Sequence, residues 1–422
     1  MSAFVKEERV AFDQVLAEFD DALVLSNAVN RYTTNATDME RAVDLIWRPV
    51  PYIMPTFNGM DQTANFQSVT QLSVPAAINI QKSSPWTMTS LELRDALQEG
   101  RIGKAAKTRL SSDINIAINN TASLQGSLVV KRTTAATGFD DVALCEAICN
   151  EQGVPMEDRF MGLNTRDYNG MASDLAKRQT MAGRPETAYA KALVGNGVAN
   201  FDLLKMDYGV RLTAALGVTV TMNGANQYYT PIAGTVDANG GLVNKDNRFQ
   251  TITIGVVSGT VKVGDAFTIA GVNAVHHITK VDTGQLKTFR IAAIITGGGG
   301  AGTVSIMPPI ISAGGATAAE VQYQNVSATP ANGAALVFLN TVASTVNPFW
   351  QKSSLEILPG TIAFPNDAGA QVMMGATQQG FTLYMLKWFD IKTGLVYLRF
   401  DTRFGVVNNN PELNGMILFN QT

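Results

Sequence analysis

Thr251-Ile-Thr-Ile254, Ala266-Phe-Thr-Ile-Ala270 and Phe289-Arg-Ile-Ala-Ala-Ile-Ile295 are short apolar runs rich in β-branched residues, separated by Gly and Asn-Asp turns. Runs of this length, bounded by turn residues, read as strands of a compact antiparallel module. The texture begins near Thr219 and ends near Ser344, and on both sides the chain returns to mixed structure. A β module inserted into another domain, in a chain with almost no catalytic side chains, points to architecture rather than chemistry.

Composition agrees. The 422 residues are enough for two or three packed domains, and charged residues are only 16%, against roughly 25% in ordinary soluble proteins. Mean hydropathy is +0.06, and no stretch reaches the roughly 18 apolar residues of a membrane span. A charge-poor chain without such a stretch is expected to cover much of its surface with neighbours. The net charge of −3 argues against a dedicated nucleic-acid binder, whose affinity comes mostly from Lys and Arg. Met1-Ser-Ala-Phe-Val-Lys-Glu-Glu-Arg9 lacks the shape of a signal peptide, so synthesis in the cytoplasm is expected.

Along the chain, Phe12, Val15, Leu16, Phe19 and Leu23 recur at helical spacing, with acidic residues largely elsewhere. Such a helix docks on its own core or serves as an arm on a neighbour, its acidic bias suiting a basic partner. Between Arg48 and Thr89 stand five prolines but, after Arg48, only two charges, Asp61 and Lys82. Alternation in Ser68-Val-Thr-Gln-Leu-Ser-Val74 and Ile78-Asn-Ile80 suggests a hairpin with prolines at its edges. A structureless loop this long is improbable inside one domain, so a projecting β-arm laid on another subunit is expected.

Leu91 to Leu124 reads as helical, capped by Thr89 or Ser90, interrupted at Gly100 and Gly103, with a stripe of Leu110, Ile114, Ala117, Ile118 and Thr121. Residues 137–217 alternate helices with short strands: Asn164-Thr-Arg-Asp-Tyr168 opens one helix and Arg184-Pro-Glu186 another, with Pro185 where a missing N–H costs nothing. From Leu355 onward, Phe381–Leu386, Gly394–Phe400 and Gly415–Phe419 suggest a closing antiparallel sheet.

Catalytic constellations are missing. Gly297-Gly-Gly-Gly-Ala-Gly302 matches G-x-G-x-x-G, but Thr303-Val-Ser-Ile-Met-Pro-Pro309 follows, a strand where the dinucleotide motif needs a helix. A hairpin turn is the reading. Gly100-Arg-Ile-Gly-Lys104 is too short for a phosphate loop, and Ala105 replaces the metal-binding hydroxyl. His276 and His277 are the only histidines, and neighbours on a strand point to opposite faces. Cys145 and Cys149 share one face of a helix that Thr137 or Asp140 can cap, and read as small buried apolar residues rather than ligands.

In this order the segments resemble a tailed-phage major capsid protein of the P22-like coat branch. Three blocks carry the resemblance: Gly241-Leu-Val-Asn-Lys-Asp-Asn-Arg-Phe-Gln-Thr-Ile-Thr-Ile254 with Val263-Gly-Asp-Ala-Phe-Thr-Ile-Ala-Gly-Val272; Asn347-Pro-Phe-Trp350; and Arg403-Phe-Gly-Val-Val-Asn-Asn-Asn-Pro-Glu-Leu-Asn-Gly415. The resemblance implies an α+β, HK97-like fold with an inserted antiparallel β-barrel. It implies an N-arm (1–40), an E-loop (48–89), a peripheral domain with a spine helix (91–136), an axial domain (137–218), the barrel (219–344) and a return to the axial and peripheral domains (345–422).

It also implies roles. Phe12, Leu16 and Phe19 would be N-arm contacts, and Tyr52, Phe57, Phe66 and Trp86 the E-loop contacts with a neighbouring subunit. Asp237, Lys245, Asp246 and Arg248 would lie in an inter-capsomer loop, with salt-sensitive pairing across a two-fold. Pentamers and hexamers of an icosahedral head would enclose double-stranded DNA, touched non-specifically. Partners would be copies of the chain, a scaffolding protein and a portal protein, with no cofactor, metal or membrane. Rival expectations are a host shell-forming compartment protein of the same fold and a β-rich adhesin, which the N-terminal sequence disfavours.

Overall fold

The computed structural model describes residues 6–32, 45–51, 54, 56–89, 92, 96–178, 197–206, 208–216, 219–364 and 369–422. The chain divides into two compact units, residues 1–46, 76–119 and 355–407, and residues 47–75, 120–354 and 408–422.

The first unit is built on a six-stranded sheet in the order Asn30–Arg31, Leu355–Gly360, Leu395–Asn408, Thr382–Asp390 and Gln371–Ala376, with Ile80–Thr89 also pairing with Leu395–Asn408. Helix α1 (Lys6–Ala22) buries Phe12, Val15 and Phe19. Its ring of Phe12 stacks on Phe400 at 6.3 Å. Gly375 lies beneath: a Cβ there would meet Phe12 and Leu16 at 2.8 and 2.9 Å, so the bare backbone lets the helix sit close. Helix α2 (Ala96–Gln125) runs unbroken for 30 residues, contrary to the expected interruption at Gly100 and Gly103. A helical glycine costs only about 1 kcal/mol relative to alanine, and the buried stripe of Leu110, Ile114 and Ile118 anchors the later turns.

In the second unit a five-stranded mixed sheet runs Leu128–Lys131, Asn414–Leu418, Asn347–Gln351, Arg159–Asn164, Phe201–Met206. The expected closing sheet is therefore split, because Asn414–Leu418 pairs parallel to Leu128–Lys131 and antiparallel to Asn347–Gln351. Gly415 is required at that point: a Cβ would stand 2.3 Å from the Leu128 carbonyl. Helices α3 (Phe139–Gln152) and α4 (Thr165–Arg178) supply Val142, Cys145, Cys149, Tyr168 and Met171 to a core shared with Met161, Leu163, Phe349 and Ile417. The N-cap of α3 is Gly138, not Thr137 or Asp140, and the Asp141 carboxylate accepts from the Thr137 and Gly138 amides at 2.7 and 3.2 Å. For α4 the Asn164 side chain accepts from the amides of Arg166 and Asp167. The expected helix start at Arg184 lies outside the described residues.

From this sheet the chain leaves at Arg211–Leu212 and returns at Ser344–Thr345, and these two crossings pair with each other. Between them a six-stranded antiparallel barrel closes in the order Gln250–Ser258, Gly302–Met307, Asp282–Ile294, Ala266–Val275, Ala335–Phe338, Thr219–Met222. Alternation explains it. Ile252, Ile254, Phe267, Ile269, Phe289, Val304 and Ile306 point inward and are essentially fully buried. Gly297–Gly299 forms the turn between Asp282–Ile294 and Gly302–Met307, with three positive φ angles that favour glycine.

Candidate functional site

The segment expected to project is bounded by a two-stranded sheet of Ile46–Pro49 and Ser73–Ala76, where the Val50 amide donates to the Leu72 carbonyl at 2.9 Å. At its root, Leu72, Ile311 and Tyr323 form a buried cluster, and the Tyr323 hydroxyl donates to the Thr70 carbonyl at 2.9 Å. Beyond the root the side chains point away from the chain. Met60 is fully exposed, Phe66 is 86% exposed and Phe57 46%. At the tip, the side chains of Asp61, Gln62 and Asn65 hydrogen-bond within the segment. Asp61 accepts from the Thr63 hydroxyl and amide at 2.6 and 3.0 Å, which holds its carboxyl below the usual value. No hairpin joins Ser68–Val74 to Ile78–Ile80. Instead Ile80–Thr89 pairs over ten residues with Leu395–Phe404.

That pairing relocates Trp86. It stands in the sheet of the first unit, 5.2 Å from the Phe400 ring, and with Leu386, Trp388 and Tyr397 lines an apolar groove of about 620 Å³. Phe12 and Phe19 are 2% and 0% exposed within their own unit, and Leu16 is half-buried against the sheet at Gly375. These three side chains pack on the protein's own core. Tyr52 lies outside the described residues.

The expected inter-capsomer charges fall on or beside a hairpin of Gly234–Val236 and Leu242–Asn244. Each has a partner inside the chain. Asp237 accepts from the Asn239 and Gly241 amides at 2.8 and 2.7 Å. The Lys245 ammonium sits 5.1 Å from the centre of the Tyr229 ring. Asp246 pairs with Arg248 at 2.7 Å, and Arg248 donates to the Asn408 carbonyl, also at 2.7 Å. Burial, and then the charge of Asp246, push the Tyr229 hydroxyl up to about 12.

Two charged ties inside the second unit have no counterpart in the expected site. Arg290, fully buried, donates to the carbonyls of Ser123 and Gly264, the latter at 3.1 Å. Burial lowers its pKa to about 10, against the pull of Asp265. Lys287, 2% exposed along its side chain, donates to Glu412 at 2.6 Å and to Gln152 at 3.0 Å. The signal is present in the sequence as two basic residues inside one apolar strand run, Leu286-Lys-Thr-Phe-Arg-Ile291.

The histidines lie in a turn after Ala266–Val275, not on a strand. The Nδ1 atom of His276 accepts from the Ile278 and Thr279 amides at 3.3 and 3.2 Å. His277 is half-buried and its pKa is lowered, first by burial, against the pull of Glu412 and with Lys280, Lys287 and His276 adding to the fall. Burial alone would raise Glu412, but Lys287 and His277 hold it below 4.5. Both groups bind fewer protons folded than unfolded. Their stabilisation is therefore complete above the unfolded values and lost as pH falls, from His277 below 6.5 and then from Glu412 below 4.5. His277→Gln is expected to flatten the drop in melting temperature of unassembled subunits between about pH 7 and about pH 5.5, leaving the steeper acid limb in place. An unaltered profile in scanning fluorimetry would contradict this.

Cys145 and Cys149 are buried and unbridged, and burial pushes Cys149 to about 12 and Cys145 well above its ordinary value. Among the described residues no three His, Cys, Asp or Glu side chains come together as metal ligands.

A family profile described as "P22 coat protein - gene protein 5" matches residues 2–420. The chain belongs to the P22 coat protein family. It is thus a structural capsid protein of a phage head, not an enzyme, and its shell is made of copies of itself. Among solved structures, the coat protein is similar to one from Mycobacterium phage Che8, at 9% identity and a TM-score of 0.45, covering 95% of this chain and 92% of that one. The head structure of Helicobacter pylori bacteriophage KHP40 matches at 9% identity and a TM-score of 0.42, with 93% and 87% covered. A CUS-3 coat protein I-domain matches at 40% identity over 29% of this chain and 96% of that one, with a TM-score of 0.23.

Proposed function

We propose that this coat protein assembles into pentamers and hexamers of an icosahedral head around double-stranded DNA, with the segment near residues 54–69 lapping a neighbouring subunit. The observation that carries the reading is the outward display of Phe57, Met60 and Phe66 on one segment, in a chain of this family. Several large apolar groups exposed together on one segment are the mark of a contact surface. In a closed shell each is covered once per subunit, and many moderate contacts sum by multivalency.

The regions take the expected roles: 1–40 the N-terminal arm, 48–89 the projecting arm, and 91–136 the peripheral domain with α2 as its spine. Residues 137–218 form the axial domain, 219–344 the inserted barrel, and 345–422 the return strands. Assembly would take place in the host cytoplasm, with a scaffolding protein setting curvature and a portal occupying one vertex. The acidic net charge favours weak, non-specific contact with the packaged DNA. Negative-stain microscopy of the purified coat protein, alone and with the neighbouring scaffold gene product, tests this. Closed shells, malformed shells or curved sheets are expected. Only 45 kDa particles at high concentration, with scaffold present, would contradict it.

A further inference from the structure

A cavity of about 70 Å³ lies at the root of the arm, where Val50, Leu72 and Ser73 meet Arg248, His277 and Glu412. His277 is half-buried there, and among the described residues its ring makes no hydrogen bond. Cations crowd it. Lys280 and His276 stand on the same turn, Lys287 on the strand Asp282–Ile294, and Arg248 lines the cavity, paired with Asp246. Tyr323 adds a neutral hydroxyl, and the arm residues lining the cavity carry no ionisable group. Among the described residues Glu412 is the one carboxylate in the lining. Its Oε1 atom already accepts from Lys287 Nζ at 2.6 Å and from Asn325 Nδ2 at 3.1 Å. A proton on His277 therefore puts a further charge among cations whose one carboxylate is occupied, and burial of such a charge is costly unless water reaches it.

The walls differ in how firmly they are held. The strand behind Lys287 is paired along both edges in the barrel, and the Pro411 carbonyl beside Glu412 accepts from the Ser127 hydroxyl at 2.8 Å. The arm's root is tied more lightly. The Tyr323 hydroxyl donates to Thr70, the Gln322 side chain reaches Thr70 and Ser68 at 3.3 and 3.4 Å, and Ser73 forms a single-residue bridge to Asp246. Leu72 adds the apolar contact with Ile311 and Tyr323. This wall can part without breaking a sheet. We infer that the arm's root is an acid-sensitive latch, closed over a neutral His277 and freed from the barrel when that ring takes up a proton. Burial lowers the His277 pKa in the closed form, so the open form binds the proton more readily and opening grows as pH falls below 6.5. The latch belongs to the single subunit and does not depend on the arm lapping a neighbour.

The test is thiol labelling of unassembled subunits carrying Leu72→Cys, buried between arm and barrel, with a disulfide reagent that reacts in mild acid. Met60→Cys, at a fully exposed position, is the reference that removes the reagent's own pH dependence. Relative to it, Leu72→Cys is expected to label severalfold faster at about pH 5.5 than at about pH 7, with a limit of about eightfold for one histidine of ordinary value in the open form. Adding His277→Gln should abolish the acceleration. Exchange of the Thr70 amide, which donates to the Gln322 side chain, gives the same reading in the unsubstituted protein. The Ile291 amide, bonded to the Asp265 carbonyl inside the barrel, should keep its protection. An acceleration below about twofold would overturn the inference, as would an undiminished one with His277→Gln. Equal loss of protection at Ile291 would also overturn it, by showing that the whole barrel opens rather than the arm's root.

Discussion

Arg290→Leu is expected to lower the unfolding free energy of the unassembled subunit by about 3–5 kcal/mol, the usual result of breaking a buried charge-and-hydrogen-bond network from one side. The guanidinium is 0% exposed and bridges the last turns of α2, at the Ser123 carbonyl, to the Gly264 carbonyl of the barrel. Leucine fills much of the volume but strands both carbonyls, and it leaves the buried Asp265 carboxyl without its nearby cation. Asp265 is also held by the Lys262 amide and by Asn340, which keeps the loss finite. Arg290→Lys should fall between the two, because an ammonium is a point donor and cannot span both carbonyls as a planar fork does. Equilibrium urea unfolding measures the difference. A loss below about 1 kcal/mol for the leucine variant would mean that the tie contributes no more than an ordinary hydrogen bond.

The second large effect concerns assembly with stability held constant. Met60→Asp combined with Phe66→Asp places two charges on side chains that are fully and 86% exposed. Nothing in the subunit's own packing is lost, so its melting temperature should move by no more than ordinary surface substitutions do. Closed shells, by contrast, should fall by at least about tenfold, because an apolar contact repeated at every subunit is replaced by a buried charge that lacks a partner. Sedimentation of the variant against the parent separates the two outcomes. A variant that unfolds early would show that the tip packs at home.

Much of this architecture is readable in the residues. The barrel strands declare themselves because alternating Ile and Thr in Thr251–Ile254 and the Gly-rich turn at 297–302 are local signals, and so is the Asn164 cap of α4. What local signals cannot supply is the partner. Nothing within Ile80–Thr89 marks that its mate is Leu395–Phe404, so Trp86 reads as part of the projecting arm until the sheet is seen. Asn414–Leu418 likewise joins strands almost 300 residues upstream at Leu128–Lys131 and not its immediate neighbours. The N-terminal helix left two readings open, and the bare backbone of Gly375, more than 350 residues away, decides for the protein's own core.

The candidate contacts divide the same way. Phe57 and Phe66 stood out as large apolar groups in a charge-poor stretch, and the structure leaves them exposed. The loop charges, expected to face another capsomer, also have partners close at hand. Asp246 and Arg248 stand two apart, a spacing that in an extended segment places both side chains on one face and invites an internal pair. The buried ties of Arg290 and Lys287 needed the opposite recognition, that a charge in an apolar run must find a buried partner or be excluded.

The most direct measurement replaces Phe66 with a photo-reactive benzoylphenylalanine and irradiates purified shells beside unassembled subunits. If the exposed tip lies on a neighbour, denaturing gels will show covalent dimers and higher oligomers from shells, and monomers alone from free subunits. Assembled shells that yield only monomers would contradict the lapping arm on which the proposed assembly rests.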